Sequence, residues 1–251
     1  MAKQRGIVKL EGTIGDITFL KTRDGYLAKE KTHISAERIA TDPAFQRTRE
    51  NGAEFGRAAK AGKLLRNAFR ASIQSVADPR VVGRLVKMMM QVIKADTTNQ
   101  RGMRNVIDGE TTLLQGFEFN ENGRLGTTLF APYAATLDRV TGDVVISLAS
   151  FIPASMISAP AGTTHFKIRA EAAAVDFSLQ SFVNSLAETA LLPWDQSPTA
   201  LITLNNALPA NSTQPLFLML GFEFTQEVNG TQYPLNNGAF NALAIVAVDA
   251  V

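Results

Sequence analysis

The side chains that most often carry chemistry are scarce in this chain. It has 0 Cys, which removes thiol nucleophiles, redox pairs and thiolate metal sites. Its 2 His are far apart: His33 follows an N-terminal hairpin and His165 falls on the polar side of a strand. Phosphate-cradling loops fail on spacing. Gly12-Thr13-Ile14-Gly15 lacks the third glycine and the following helix, and Gly62-Lys63 is followed by Leu64 where Mg²⁺ needs the hydroxyl of Ser or Thr. No Gly-x-Ser-x-Gly elbow occurs. Carboxylate pairs for acid–base work leave no spacing signature of their own. The expectation is a non-enzymatic chain with no cofactor and no metal.

One basic spacing stands out. Arg57, Lys60, Lys63, Arg66 and Arg70 cover about half the circumference of a helix, a candidate interaction face. Such a track suits phosphates or the acidic surface of a neighbour. No aromatic stacking set and no nucleic-acid reading motif accompanies it, so nucleic acid is the alternative partner, bound weakly and without regard to sequence. Asn211-Ser212-Thr213 and Asn229-Gly230-Thr231 match the glycosylation pattern, but turn chemistry accounts for both. Trp194, the one Trp, is expected to plug the end of a core.

The elements that would position these residues change character along the chain. Ile7 to Leu10, Asp16 to Lys21 and Tyr26 to Lys31 read as short strands, the last two joined at Arg23-Asp24-Gly25. Asp42-Pro43 and Asp78-Pro79 each start a helix, the Asp accepting free amide hydrogens and the Pro needing none. The first helix is expected to pack through Phe45, Thr48, Gly52, Phe55, Ala59, Gly62, Arg66, Phe69 and Ile73. The second is expected to pack through Val81, Val82, Leu85, Met88, Met89, Val92 and Ile93. A third is expected from Arg104 to Leu114. Beyond Gly116 the period becomes two. Phe166, Ile168, Ala170 and Ala172 alternate with His165, Lys167, Arg169 and Glu171, and Asn-Gly and Thr-Gly pairs supply turns. Gly-Phe-Glu-Phe occurs at Gly116 and again at Gly221, as if a hairpin were duplicated.

Charge divides the chain at about the same place. Residues 1–110 hold 21 Lys+Arg against 12 Asp+Glu, and residues 111–251 hold 4 against 11. No Lys or Arg follows Arg169. The reading is α+β: an N-terminal β-hairpin and helical layer, then a C-terminal antiparallel β-sandwich, Ig-like or jelly-roll-like. Residues 1–114 form the basic module and 115–251 the acidic one. The opposite charges meet either within one chain or between neighbouring chains.

The segments Gly12-Thr13-Ile14-Gly15-Asp16-Ile17-Thr18-Phe19, Asp24-Gly25-Tyr26-Leu27-Ala28, Asp42-Pro43-Ala44-Phe45-Gln46-Arg47-Thr48-Arg49-Glu50-Asn51 and Asn237-Gly238-Ala239-Phe240-Asn241-Ala242-Leu243 resemble an uncharacterised protein family of Bacteroidota. The resemblance runs over most of the length. It implies a whole-chain unit of bacterial or phage origin and carries no catalytic residues with it.

Together these features imply a structural protein that associates with itself, head to tail, into a filament, ring, sheath or phage-like particle. The candidate strand-exchange segment holds Ile7, Val8, Leu10, Ile17, Phe19 and Tyr26. Alternatives are a nucleic-acid-associated protein using helix 57–70, or a sandwich that binds a surface or a carbohydrate. No leader-like apolar run follows the basic N-terminus, and the long uncharged runs are broken by Pro, so membrane insertion is not expected. The expected location is the cytoplasm, or a released particle or virion.

Overall fold

Asp42-Pro43 begins helical structure, and Asp78-Pro79 makes a turn that leads into a helix whose N-cap is Arg80. Asp42 accepts the Ala44 amide hydrogen at 2.9 Å and Asp78 that of Arg80 at 2.6 Å. In this computed structural model residues 1–31 and 34–250 are described, and the expectation for His33 lies outside them. The chain divides into two compact units, Met1–Arg49 and Glu50–Val251.

The first unit is a four-stranded antiparallel sheet of β1 (Ala2–Lys3), β2 (Gly12–Ile14), β3 (Ile17–Thr22) and β4 (Gly25–Glu30), in the order β1-β4-β3-β2. Gly15, at φ 56°, makes the two-residue turn between β2 and β3 with Asp16. A short helix α1 (Ala36–Thr41) follows, capped by Ser35. The strand expected over Ile7 to Leu10 does not form: those residues make an exposed loop between β1 and β2. Its ends are clasped by Gln4, whose side chain accepts from Leu10 N at 2.9 Å and donates to Leu10 O at 3.2 Å.

From Pro43 a turn of 3₁₀ helix leads into α2 (Gln46–Ala68), which passes from the first unit into the second. After Phe69 comes a single turn, α3 (Arg70–Ile73), and then α4 (Val81–Lys94). The buried residues of α2 are Glu54, Ala58, Ala61, Gly62, Leu64, Leu65 and Ala68; of the expected stripe Gly62 and, just past the helix, Phe69 are buried, whereas Phe45, Phe55 and Ala59 are not. Phe55 is 57% exposed. Small alanines let the helix lie close to a sheet, and that outweighs the pull of the larger rings. In α4 Val81, Leu85, Met89, Val92 and Ile93 are buried as expected, while Val82 is exposed. The third helix is reduced to a 3₁₀ turn at Thr111–Leu114, because the chain from Asp96 to Gly109 is held as a loop by side-chain caps.

The remaining elements build two sheets. A short helix α5 (Leu125–Thr128) precedes β5 (Tyr133–Leu137) and β6 (Asp143–Leu148), and α6 (Pro153–Met156) precedes β7 (His165–Asp176). Then come β8 (Ser181–Glu188), β9 (Leu192–Pro193), β10 (Ile202–Ala207), β11 (Leu216–Val228), β12 (Thr231–Pro234) and β13 (Ala242–Asp249). A three-stranded sheet runs β10-β6-β5. A six-stranded sheet runs β12-β11-β7-β8, with β13 also on β11 and β9 on β7. All pairings are antiparallel.

Alternation along β7 and β11 makes the six-stranded sheet two-faced. Phe166, Ile168, Ala170, Ala172, Leu218, Leu220 and Phe222 meet Val144, Ile146, Leu148, Ile202 and Leu204 of the smaller sheet, which completes the sandwich. On the other face Ala173, Val175, Phe217, Met219, Leu243 and Ile245 pack against α2 and α4. Helices, large sheet and small sheet are thus three layers of one unit. The compact units therefore divide at Arg49/Glu50 and not at residue 114, where charge and periodicity change: the helical core is continuous with the sheet.

The repeated Gly-Phe-Glu-Phe segments are not two hairpins. Gly116 N and Phe119 N donate to Ile245 O and Leu243 O, both at 2.7 Å, while Gly221 and Phe222 pair with the same strand, β13, from its other side. Only the second runs on into a hairpin, turned at Asn229-Gly230 with φ of 51° and 77°.

Candidate functional site

The first unit has an unusual property: none of its described residues is buried. Its cross-strand register puts Ile14, Ile17, Phe19, Tyr26 and Ala28 on one face. Lys21 and Lys9 place their ammonium groups 5.6 and 5.9 Å from the Tyr26 ring centre. In the clasped loop Ile7 is fully exposed and Val8 is 76% exposed, between Arg5 and Lys9. Of the six candidate strand-exchange residues, Ile17, Phe19 and Tyr26 share a sheet face, and Ile7, Val8 and Leu10 share the loop.

The basic face on α2 is less uniform than its spacing implies. Arg57, half-buried, donates to the carbonyl oxygens of Gly102 and Arg104 and so fastens the 95–109 loop. Beside it Glu54 is buried and forms a two-pronged pair with Arg104, at 2.8 and 2.9 Å, while accepting from Gly102 N at 2.8 Å. The Arg104 hydrogen bonds hold the Glu54 carboxyl below its ordinary range. Burial pushes Asp96 up, but donations from Asn99, Asn105 and Thr98 outweigh it and bring Asp96 down to about 2. Lys60, Lys63 and Arg70 are exposed and Arg66 is half-buried. Lys60 and Arg57 line a cleft of about 290 Å³ with Asn105, Ser178 and Gln180.

Carboxylates elsewhere are committed to structure. Glu171, expected on a polar face, is buried and accepts from Ser72 Oγ at 2.5 Å, Ser72 N at 3.3 Å and Asn184 Nδ2 at 3.0 Å. It thereby joins the turn after α2 to the sheet. Glu188 binds Lys167 at 2.9 Å and Arg169 at 3.1 Å, and Arg169 reaches Glu223 at 2.8 Å. The Lys167 hydrogen bond lowers the Glu188 pKa. Burial raises Glu118, which accepts the Leu125 amide hydrogen on both oxygens and so caps α5. Burial first, and then the charge of Glu118, raises Tyr133. His165 Nδ1 lies 2.9 Å from Thr164 Oγ1 and 3.2 Å from Gln232 Nε2. Trp194 packs on the sandwich core and donates to Ile157 O at 3.3 Å. Asn211 and Asn229 both have positive φ, as turn residues do. Among the described residues no three of His, Asp and Glu converge to hold a metal. No helix among them is long and apolar enough to cross a membrane.

Motif and spacing do not single out β8. This edge strand exposes Phe182, Val183 and Leu186, and its strand pairing among the described residues is all to β7. The uncharged run from Phe177 to Ala187 is the signal that marks it. Against family models, curated proteins and solved structures alike, the chain has no match.

Proposed function

We propose that the chain is a structural subunit, without enzymatic activity, that associates with itself head to tail through its N-terminal sheet. The observation that carries this reading is the absence of any buried residue among those described in Met1–Arg49. Ordering a residue costs about 1–2 kcal/mol of chain entropy, and a small sheet that buries no side chain gains little to offset that cost until a face is covered. Ile14, Ile17 and Phe19 on one face, and Ile7 and Val8 in the loop, are what a second copy would cover. Charge supports unlike surfaces meeting. Residues 1–49 hold 10 Lys+Arg against 6 Asp+Glu, whereas residues 170–251 hold no Lys or Arg and 7 Asp+Glu.

Light scattering on the intact chain over a wide concentration range tests the reading, with negative-stain micrographs of the same samples. Extended or ring-shaped assemblies are expected. A monomer or plain dimer at every concentration would end it.

A second reading is weak nucleic-acid association through the exposed Lys60, Lys63 and Arg70. Arg57, turned to the loop carbonyls, shortens that track.

A further inference from the structure

We infer that the outer edge of β8 is the acceptor for the N-terminal segment Arg5–Leu10 of a second copy, which adds to it as a further strand. The inference rests on the proposed self-association and names the surface that receives it.

Three features of β8 support an acceptor role. It ends the path β12-β11-β7-β8, and its strand pairing among the described residues is all to β7. Ala207 N of β10 donates to Ser185 Oγ at 3.3 Å, a side-chain bond that leaves the backbone ladder on the far side of β8 open. Natural sheets blunt such edges with Lys, Pro, a bulge or a very short strand. This edge has none of these over its 8 residues. Phe182, Val183 and Leu186 are exposed along it, and Leu179, before it, is 78% exposed. The single charge in β8, Glu188, is drawn inward by Lys167 and Arg169.

The donor is argued from the complementary features. Ile7-Val8-Lys9-Leu10 has strand-forming residues yet is not in a strand, and its two β-branched side chains are highly exposed. Gln4 holds the loop at its base and leaves Ile7 and Val8 outside the strand ladders of the described residues. Extended, the segment Arg5–Leu10 spans about 20 Å, most of an edge of about 27 Å. Charge agrees at one end. Arg5 and Lys9 flank the apolar pair. Asp176, where the β7–β8 turn begins, accepts from Ser178 N and Leu179 N at 2.8 Å and is the carboxylate at that end of the edge. A homotypic contact of two β8 edges would leave the donor loop uncovered, so a donor from the first unit is the better occupant.

A chain with 0 Cys makes the test clean. Single-cysteine proteins Val8→Cys and Val183→Cys are prepared, mixed and treated with a short bismaleimide. Linkage between the two proteins, several-fold above either alone, is expected. Linkage of Val183→Cys chiefly to itself would mean that β8 pairs with β8 and would overturn the inference, as would linkage of Val8→Cys chiefly to itself. In parallel, Val183→Lys places a charge on the edge and should raise the concentration for half-assembly at least tenfold while the circular dichroism spectrum is unchanged. If Val183→Lys assembles like the parent chain, the acceptor lies elsewhere and self-association stands without it. If the parent chain never assembles, both readings fail together.

Discussion

Deleting residues 1–31 separates what holds the fold from what would hold an assembly. A fully buried Leu or Phe stabilises by about 1.5–3 kcal/mol, and the deleted stretch contains no buried side chain. The two hydrophobic clusters that hold the layers together draw all their buried residues from Ala58 onward. The deletion should therefore change the stability of the remaining chain by less than about 1 kcal/mol. For a chain of this size that is about 2–4 °C in Tm. Assembly, by contrast, should be lost altogether, because the loop at Ile7 and Val8 and the face at Ile17 and Phe19 go with it.

Two measurements on one sample decide the matter: thermal unfolding by circular dichroism at a concentration where the intact chain is dispersed, and light scattering at one where it assembles. The expected result is a Tm within a few degrees of the parent and a scattering mass of one chain. A fall in Tm of about 10 °C or more, well beyond the shift that 1 kcal/mol produces, would show that the N-terminal sheet supports the layers and would refute the argument from burial. Undiminished assembly would refute the argument that the sheet is the adhesive element. The two failures are separate, so neither can mask the other.

Other parts of the molecule give three further expected outcomes. Glu54→Ala removes a buried carboxylate from Arg104 and from Gly102 N; breaking such a pair costs about 3–5 kcal/mol, and with Arg104 partly in solvent about 3 kcal/mol is expected, read as a Tm drop of several degrees with faster amide exchange over residues 95–109, while a change under about 1 kcal/mol would contradict the assigned role. Asp96 titrates at about 2 in the folded chain and Glu54 below its ordinary value, so their contribution is present above the ordinary carboxylate range and that of Asp96 is lost as pH falls toward about 2; Tm should decline across that window and the decline should be shallower in Asp96→Asn, and an identical acid profile would exclude Asp96 from it. If α2 binds duplex DNA, the log–log salt slope should shrink by about 0.9 for each phosphate that a substituted side chain no longer neutralises, and only weak binding is expected; tight binding at physiological salt that vanishes on changing Lys60, Lys63 and Arg66 to Glu would favour nucleic acid over self-association.

The parts of the fold that are legible in the sequence are those set by local chemistry. Asp42 beside Pro43 caps a 3₁₀ turn as its chemistry suggests, and Asp78 beside Pro79 accepts the Arg80 amide hydrogen in the turn just before α4. The alternation of Phe166, Ile168, Ala170 and Ala172 describes a strand with one face in a core, and β7 is that strand. What stays hidden depends on packing between distant segments. The α2 face misleads because a row of alanines carries less hydrophobic weight than Phe45 and Phe55, yet allows closer approach. Arg57 cannot be separated from Lys60 by spacing, since its partners are carbonyls 45 and 47 residues away. Glu171 reads as a solvated residue because Ser72 and Asn184, which make its burial tolerable, lie 99 and 13 residues distant. A boundary at 114 follows a change in charge, and charge composition does not report which apolar faces share a core.

A closed dimer accounts for these surfaces poorly. An isologous contact through the N-terminal sheet would set Arg5, Lys9 and Lys21 of one copy against the same residues of the other, and would leave the β8 edge open on both. An isologous contact through β8 would cover that edge but leave Ile7, Val8 and the Phe19 face in water. Joining unlike surfaces covers both, and each added copy presents the same free donor and acceptor as the last, so nothing in the contact itself limits growth to two. Attraction between the basic head and the acidic C-terminal part is screened over about 8 Å at physiological salt. It would steer encounter and register, while backbone pairing and apolar burial would hold the contact once made. On this reading the distribution of charge selects the order of the subunits, and the uncharged residues, Ile7, Val8, Phe182, Val183 and Leu186, supply the cohesion.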